Sequence, residues 1–459
     1  MRAPTHPSPD AVIVPANALP RTCDVLVAGG GPAGSTTAAL LAARGLSVVL
    51  CEKERHPRFH IGESLLPMNM PIFERLGGGL REAVEAIGVR KHGADFPAPD
   101  GAASGYRTFQ FRRALNPTPP HAVHVRRDQF DELLFRHAAA RGAQALESTR
   151  VGELAFDATG VDATLVDGDG TTHALRARYL VDASGRDTLL GNRLKLKRKH
   201  SRHQSAALFG HYEGVARRPG EDAGNISIYR FGHGWVWMIP LPDGRMSVGA
   251  VCRPEYLKQR QGDNAGLLAR TLDAIPDAAA RMRGARLCGN LHATGNYSYA
   301  CTRAAGPRWI LVGDAYAFLD PIFSSGVYLA MHGAEGAAEL VATVLAEPSR
   351  EAGLQRAYAR EVARGLTAFA WFITRFTTPA LRRLFAHPRN DWRLEEALIS
   401  MLAGDVYRDG GVRWRLALFK AVYALTALGM LPAQVRDWWQ RRGQAAAAFV
   451  GGTTGQDHV

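Results

Sequence analysis

Three glycines and one carboxylate stand at spacings that could hold a dinucleotide. Gly29, Gly31 and Gly34 form a GxGxxG pattern, and Glu52 follows the first glycine by 23 residues. In such a pattern the glycines allow a tight turn, a close approach of the backbone to a pyrophosphate, and close packing of a helix on a strand. A carboxylate about 20 residues further on accepts hydrogen bonds from a ribose. The four residues therefore predict a dinucleotide-binding site.

The surrounding sequence predicts the elements that would position these residues. An apolar run over residues 24–28 predicts a buried parallel strand, residues 35–44 have helical composition, and residues 47–51 predict a second strand that ends at Glu52. The helix would begin where the glycines end, so that its free N–H groups and its positive dipole end would face the phosphates. A glycine pattern by itself is weak evidence, but its place between two strands makes the prediction specific.

The composition limits the class of protein and its partners. With 459 residues the chain exceeds one ordinary domain, and 46% hydrophobic with 22% charged residues describe a globular protein with a sizeable core. The net charge of +13 favours acidic partners or substrates. The sequence has no nucleic-acid motif, so nucleic acid is not expected as a partner.

The cysteines and the chain ends indicate a compartment. The five cysteines are scattered without a CxxC pair, which predicts core thiols in a reducing cytoplasm and no metal site. Residues 1–20 lack the apolar core of a secretion signal, so we expect a flexible tail and a cytoplasmic protein. Residues 416–431 are apolar but too short to span a bilayer, and a buried C-terminal helix is favoured over one that lies on a membrane surface.

Two charged residues stand where a flavin dinucleotide would need them. Arg127 opens a predicted helix over residues 127–141, where its guanidinium could reach phosphate or adenine. Asp314 closes a predicted strand over residues 309–312, where its carboxylate could accept hydrogen bonds from a polyol such as a ribityl chain. Residues 182–186, DASGR, close a further strand with a turn of small residues.

In this order the motifs resemble those of FAD enzymes of the hydroxybenzoate-hydroxylase type, and the resemblance covers residues 22–345. It implies FAD as the cofactor. It also implies that FAD is held by the glycine pattern and by three charged residues, namely Gly29, Gly31, Gly34, Glu52, Arg127 and Asp314.

A pair of tryptophans indicates one branch of that class. Residues 234–240 are GWVWMIP, so that Trp235 and Trp237 would project from the same face of a strand. Paired tryptophans usually belong to a hydrophobic core. Together with Ile239 and Pro240, however, they resemble the WxWxIP motif of flavin-dependent halogenases, in which the motif forms a wall that keeps the substrate away from the flavin.

Two further motifs resemble the same family. Residues 318–326 match the pattern FxxPxxSxG through Phe318, Pro321, Ser324 and Gly326. The resemblance places the halide at the backbone N–H groups of Ser325 and Gly326, where a helix begins, and Gly326 beside the flavin. Residues 62–67, GESLLP, match a run that is typical of these enzymes.

The resemblance also implies a reaction. FAD that a separate flavin reductase has reduced would use O2 and chloride or bromide to make hypohalous acid. A lysine in a second pocket would hold this acid by a hydrogen bond or as a haloamine, and an electron-rich ring would attack the halogen. Lys91 matches the family's lysine through the KxGAxF pattern of residues 91–96. A lysine suits this step because its ammonium donates a proton and its pKa falls on burial.

The substrate is predicted less closely than the reaction. Tryptophan halogenases carry a glutamate at the position of Phe323, so this replacement argues for a phenol or a pyrrole rather than free tryptophan. Residues 399–406 resemble the C-terminal helical region of the phenol and pyrrole branch. Together with the basic charge, this resemblance favours an aromatic substrate of secondary metabolism. Whether the substrate is tethered to an acidic acyl carrier protein, as in pathways to aryl-polyene-like pigments, is left open.

The predicted fold class is α/β, with a Rossmann-like FAD-binding domain, a second and mostly antiparallel β-sheet domain for the substrate, and a C-terminal helical region. The predicted boundaries are residues 21–96, 121–190 and 285–345 for the FAD-binding domain, 97–120 and 191–284 for the substrate domain, 346–450 for the helical region, and 1–20 and 451–459 for the tails. Residues 97–120 hold five prolines and form a candidate lid.

Three other classes share part of this pattern. A flavin monooxygenase that hydroxylates a phenol would need its substrate against the flavin, which Trp235 and Trp237 would prevent. A reductase similar to geranylgeranyl reductases would need a long apolar tunnel and membrane contact, whereas we expect peripheral contact at most. A flavin-binding assembly partner without turnover would not need the intact motif around Lys91.

Overall fold

The architecture is built from two large β-sheets and a set of helices. The computed structural model describes residues 20–97, 105–386, 390–408 and 410–430. The strands in those residues are β1 (Thr22–Ala28), β2 (Val48–Cys51), β3 (Gly88–Lys91), β4 (Gly93–Pro97), β5 (Tyr106–Gln110), β6 (Ala122–Val125), β7 (Gln144–Leu146), β8 (Arg150–Phe156), β9 (Val161–Val166), β10 (Thr172–Asp182), β11 (Lys197–Glu213), β12 (Ile226–Phe231), β13 (Gly234–Pro240), β14 (Met246–Cys252), β15 (Arg286–Cys301), β16 (Ala305–Gly306), β17 (Trp309–Leu311) and β18 (Ala317–Phe318).

The helices lie mainly on the first sheet and at the C-terminal end of the described chain. They are α1 (Pro32–Ala42), α2 (Met70–Leu76), α3 (Leu80–Ala86), α4 (Arg127–Ala140), α5 (Leu189–Arg193), α6 (Pro254–Leu257), α7 (Asn264–Asp273), α8 (Pro276–Arg281), α9 (Ser325–Ala346), α10 (Glu351–Ile373), α11 (Pro379–Ala386), α12 (Leu394–Leu402) and α13 (Val412–Gly429).

The first sheet carries the glycine pattern. Its strands have the order β16-β17-β10-β1-β2-β7, with β17, β10, β1, β2 and β7 parallel to one another. Strands β8 and β9 extend it from β10 as an antiparallel meander. The central strand β1 is covered on both faces, which explains why its last residues form a continuous apolar run rather than an alternating one. Helix α1 packs against α4 and α9.

The second sheet carries the tryptophan pair. Its strands have the order β18-β15-β11-β14-β13-β12-β4-β5, and they pair antiparallel except for the parallel pair β12 and β4. Every residue of β13 is buried, because both of its faces are covered. This sheet therefore forms a core of its own rather than a solvated surface.

A small two-stranded sheet positions Lys91. Strands β3 and β6 pair antiparallel, with Lys91 opposite Ala122. The segment that contains Ser64 pairs with β6 from its other side through a bridge to His124. Lys91 is therefore the last residue of β3, and β6 lies between β3 and the GESLLP segment.

The helices α10 to α13 make up the last part of the described chain. Helix α13 packs against α11 and α12 and buries Val412, Leu416 and Phe419. In the ranges that the structure describes, no helix has both the length and the apolar character needed to cross a membrane.

The α/β class with two sheets and C-terminal helices is confirmed, and the predicted elements differ from the structure mainly at their ends. The helix expected over residues 35–44 is α1, which spans Pro32–Ala42, and the helix expected over residues 127–141 is α4, which ends at Ala140. Of the candidate lid, residues 106–110 form β5 on the second sheet, and residues 98–104 lie outside the described residues. Both predicted tails also lie outside them, apart from residue 20.

The domain boundaries stay a prediction. In the structure, residues 93–97 and 286–301, which the sequence assigned mostly to the FAD-binding domain, run as strands of the second sheet. The short strand β18 of that predicted domain also joins the second sheet, and the first sheet and the small sheet account for the remaining strands.

The substitution Gly34→Ala tests the contact between α1 and the turn after β1. An added Cβ would lie 1.8 Å from the Gly29 carbonyl oxygen and 3.2 Å from the Ala183 Cβ, so the helix would have to move away from the sheet. We expect the free energy of unfolding to fall by about 3 kcal/mol, as measured by urea denaturation. Gly353→Ala is the control, because its Cβ would meet nothing and helical alanine is favoured by about 0.5–1 kcal/mol. Equal stability of the two variants would contradict the prediction.

Candidate active site

The turn after β1 has the geometry that the glycine pattern predicts. Gly29 has a φ of +108°, and an added Cβ would lie 2.4 Å from the carbonyl oxygen of Ala183. The N–H of Gly29 donates to the Cys51 carbonyl at 2.8 Å, and the N–H of Gly30 donates to the Glu52 carboxylate at 2.9 Å. The turn is thus fixed from the end of the neighbouring strand β2.

Glu52 begins a buried chain of alternating charges. Its carboxylate accepts a hydrogen bond from Arg58 at 3.0 Å, and the same guanidinium donates to Asp131 at 3.0 Å. Arg127 donates two hydrogen bonds to Asp131, at 2.8 and 2.9 Å, and one to the carbonyl of Ile61 at 2.7 Å. The charges therefore connect β2, the loop that follows it, and the first turns of α4.

The pairing outweighs the cost of burial for these groups. Burial raises the pKa of Asp131, but the charge and hydrogen bonds of Arg127 lower it by more, so that the pKa lies below its usual range. Burial lowers the pKa of Arg127, and Asp131 reverses that effect. Asp131 and Arg127 are therefore both charged at neutral pH.

A cleft beside this chain contains the other predicted cofactor residues. It is lined by Gly313, Asp314, Phe318, Ser325 and Gly326, together with side chains of α9 and α10. Burial raises the pKa of Asp314 to about 6, and the charges of Arg186 and Arg127 oppose the shift. The carboxylate at the end of the first sheet and the first residues of α9 therefore face the same space.

The polar atoms around the cleft fit an FAD molecule. The Nε of Arg58 is buried and has no hydrogen-bond partner among the described residues. A Cβ at Gly31 would have only the Arg58 guanidinium near it, at 3.6 Å, and a Cβ at Gly326 would meet nothing within 4 Å. Open glycines, a spare guanidinium N–H and the N-terminus of α1 suit a diphosphate, and Asp314 suits the polyol of the flavin.

The tryptophan pair forms a buried layer on the second sheet. Trp235 and Trp237 are 5% and 4% exposed, and their ring centroids are 5.6 Å apart. The indole of Trp237 donates to Ser247 at 3.1 Å. Gly249 leaves the room for this ring, because a Cβ there would lie 2.3 Å from it. Ile239 and Pro240 continue the same buried strand.

The FxxPxxSxG segment contacts that layer through Asp320. Burial raises the pKa of Asp320 to about 6, while hydrogen bonds from the Ile322 backbone and the Trp235 side chain oppose the shift. Pro321 opens a tight turn, and Ser324 follows it with a φ of +55°, directly before α9. The wall motif and the predicted halide loop are therefore in contact.

Lys91 is buried, and no opposite charge pairs with it among the residues that the structure describes. It is 2% exposed, and its ammonium donates to the Ser64 hydroxyl at 2.9 Å and to the Leu65 carbonyl at 3.2 Å. The Nζ atom lies 5.3 Å from the centroid of the Phe111 ring. Burial lowers the pKa of Lys91 to about 7. At neutral pH the side chain is therefore present both as ammonium and as amine.

The structure thus brings the predicted site residues into two regions. Around the first region lie Gly29, Gly31, Gly34, Glu52, Arg127, Asp314, Phe318, Ser325 and Gly326, with the Trp235 layer joined to it through Asp320. Lys91 lies at the second, beside residues 64 and 65. Three residues of the two regions, Arg58, Ser64 and Asp320, were not predicted individually from the sequence. Ser64 and Asp320 belong to quoted motifs, whereas Arg58 had no sequence signal.

Comparison with known proteins defines the class. A family model described as an FAD binding domain matches residues 22–371. Among solved structures, a flavoprotein/dehydrogenase from Cytophaga hutchinsonii has a TM-score of 0.80 at 27% identity and covers 89% of this chain and 99% of its own. The chain is therefore an FAD-binding enzyme.

More specific relatives name the branch. A flavin-dependent halogenase of Penicillium aethiopicum is 34% identical over 379 residues, which cover 77% of this chain and 70% of the relative. A tryptophan 2-halogenase of Chondromyces crocatus is 37% identical over 340 residues, which cover 72% and 62%. The structure of a myxobacterial chondrochloren halogenase has a TM-score of 0.73 at 32% identity and covers 85% of this chain and 92% of its own. The chain belongs to the flavin-dependent halogenases.

The substitution Asp131→Asn tests the buried chain of charges. It removes one charge and leaves Arg58 and Arg127 buried without their shared partner. We expect the free energy of unfolding to fall by about 3 kcal/mol and FAD affinity to fall by at least about tenfold, as measured by urea denaturation and by flavin fluorescence titration. Asp128→Asn, on the same helix turn but partly exposed, is the control and is expected to change stability by less than about 1 kcal/mol. A wild-type unfolding midpoint for Asp131→Asn would refute the interpretation.

The substitution Lys91→Met tests the cost of the unpaired ammonium. The pKa of Lys91 is about 7 in the folded chain against 10.5 in the unfolded one, so the unfolded chain binds more protons between these values and wild-type stability rises with pH across them. At about 1.4 kcal/mol per pH unit, Lys91→Met should be more stable than the wild type by up to about 5 kcal/mol at pH 6, and the difference should vanish towards pH 10. Unfolding midpoints across this range measure it, and a constant difference would count against the assignment.

Proposed function

We propose that this halogenase passes hypohalous acid from its flavin to Lys91, where the acid halogenates a phenol or a pyrrole. Bound FAD, in its reduced form, supplies the hypohalous acid from O2 and chloride or bromide. The chain's own residues then keep the acid away from water and from the flavin, and present it to the aromatic ring. A separate flavin reductase would deliver the reduced cofactor.

The observation that carries this proposal is the buried, unpaired ammonium of Lys91. A lysine with a carboxylate partner would stay an ammonium and would be occupied by that partner. Lys91 instead donates to a hydroxyl and a backbone carbonyl, and burial lowers its pKa to about 7. Such an ammonium can donate a proton to the oxygen of hypohalous acid at neutral pH, and this makes the halogen more electrophilic.

Two other features support the separation of the two steps. The backbone N–H groups of Ser325 and Gly326 open the N-terminus of the long helix α9 and line the cleft, where they suit a halide. The buried layer of Trp235 and Trp237 adjoins the same segment through Asp320 and would keep an aromatic substrate from the flavin. Halogenation of the substrate would then require a small oxidant that diffuses from the flavin to the substrate.

The proposed substrate class rests on Phe323, which stands where tryptophan halogenases carry a glutamate. Phe323 is 3% exposed and stacks edge-on against Phe376 at 5.6 Å, so an apolar ring occupies the position where tryptophan halogenases carry a glutamate. A phenol or a pyrrole activates its own ring and does not need that carboxylate. Tethering to an acyl carrier protein is the finer part of the proposal, and equal turnover of free and carrier-bound substrate would refute it.

A halogenation assay with Lys91→Met tests the reaction. The protein is supplied with FAD, a flavin reductase, NADH, O2 and bromide or chloride, together with a panel of phenols, pyrroles and indoles, and the products are read by mass spectrometry. We expect a halogen isotope pattern with the wild type, and a loss of at least about a hundredfold with Lys91→Met, while flavin oxidation continues at an unchanged rate.

Lys420→Met is the matched control, because this lysine also has a pKa lowered by burial, but it is only partly buried and lies on α13 over the Trp371 ring. It is expected to halogenate at the wild-type rate. A mass gain of one oxygen would show hydroxylation in place of halogenation. Full halogenation by Lys91→Met would refute the lysine relay, and brominated or chlorinated indole alone would overturn the substrate class.

A further inference from the structure

His124 shares one face of a three-stranded arrangement with Lys91. On the small sheet, Val89 pairs with His124 and Lys91 pairs with Ala122, and directly paired residues project to the same face. Ser64 pairs with His124 from the other side of β6. The Lys91 ammonium crosses this face, since it lies 2.9 Å from the Ser64 hydroxyl. Because Ser64 is paired with His124, the Lys91 ammonium lies beside His124.

The imidazole of His124 is buried and only partly satisfied. The residue is 0% exposed, and neither ring nitrogen reaches a hydrogen bond of ordinary geometry in the part of the chain that the structure describes. The Gly224 carbonyl lies on one side and favours an N–H directed towards it. A neutral imidazole has one donor and one acceptor nitrogen, so this arrangement leaves the acceptor nitrogen without a partner. A buried acceptor without a partner costs free energy, which a bound polar molecule would recover.

The surrounding charges keep that nitrogen unprotonated. Burial lowers the pKa of His124 well below its ordinary value, and the positive charges of Lys91 and Arg217 add to the shift. The acceptor lone pair is therefore present at neutral pH. An ammonium donor and a neutral acceptor thus stand side by side in a site that excludes water.

We propose that His124 is the second residue of the hypohalous acid site, accepting the hydrogen bond of the HO–X hydroxyl while Lys91 donates to its oxygen. The inference rests on the proposed function of Lys91 and adds the partner that accepts a hydrogen bond from the O–H of the acid. Hypohalous acid has one donor and one acceptor at the same oxygen, and the pair matches both. Neither Lys91 nor His124 alone would fix the direction of the O–X bond.

The transfer step balances with these two residues. The ring forms a bond to the halogen as the O–X bond breaks, and the departing hydroxide takes the proton of the Lys91 ammonium to become water. The ring then loses its proton, which returns to the Lys91 amine, so that the sum is ArH and HOX giving ArX and H2O. His124 remains neutral throughout and holds the hydroxyl that becomes water.

His124→Phe tests the proposal by measuring where the hypohalous acid goes. Flavin oxidation, halogenated product, and escaped acid trapped by monochlorodimedone are measured in the same reaction with bromide and the phenol panel. We expect the product per flavin oxidised to fall roughly tenfold to a hundredfold, the loss expected for one buried hydrogen bond, while trapped acid rises and flavin oxidation does not change. His124→Gln keeps a carbonyl acceptor and should recover most of the product.

His137→Phe is the matched control, because this histidine is also buried, lies on α4 and has an unpaired Nε2. It should leave the ratio of product to trapped acid unchanged. A wild-type pH series gives a second measurement that needs no variant: this ratio should fall only at pH values well below 6.5, when the imidazole takes up a proton and loses its acceptor.

The outcomes separate the inference from the function on which it rests. If Lys91→Met releases hypohalous acid and His124→Phe does not, the role of His124 is overturned and the lysine relay stands. If neither variant releases it, the proposed function itself fails. A wild-type ratio that already falls as the pH is lowered from 8 to 6.5 would also overturn the role of His124, because the imidazole is unprotonated over that range.

Discussion

The buried chain of charges from Glu52 to Arg127 is the constraint on which both parts of the site depend. Glu52 fixes the glycine turn through Gly30, and Arg127 at the other end holds the carbonyl of Ile61. The segment that follows Ile61 then supplies the hydroxyl and the carbonyl that receive Lys91. Breaking any pair in the chain would leave an uncompensated buried charge, which is far more costly than the net gain from the intact pair. The cofactor loop and the lysine are therefore positioned by one connected set of contacts.

The two cationic regions of the site use burial in opposite ways. Arg58 and Arg127 share Asp131, and Arg58 also binds Glu52, so that two carboxylates balance the two guanidinium charges. Lys91 has no such partner among the described residues, and its pKa falls to about 7. A fixed charge suits a cofactor diphosphate, whereas an ammonium that gives up its proton easily suits a reaction in which a proton must be donated. The free energy that burial of the lysine costs would thus be the physical basis of its proposed chemistry.

In the proposed mechanism, the second sheet would separate these two regions. Its fully buried strand β13 carries the tryptophan layer, and Gly249 on the neighbouring strand leaves the space that the Trp237 ring fills. Asp320 joins the layer to the loop before α9. A flavin enzyme that hydroxylates its substrate directly needs an open path to the ring, whereas a halogenase needs a path for a small oxidant only. The membership of the chain in the flavin-dependent halogenases agrees with this architecture.

The sequence by itself determined the strand–helix–strand unit, the cofactor class and the family, because glycine turns, apolar runs and motif spacings are local properties of the chain. It also indicated Lys91, but only through resemblance. The tertiary structure alone decided that Arg58 joins Glu52 to Asp131. It also decided that Lys91 has no carboxylate partner in the described part of the chain, and that His124 stands beside it. These facts depend on strand register and on contacts between residues far apart in the chain. Burial, charge pairing and the pKa values that follow from them become defined only when those contacts form.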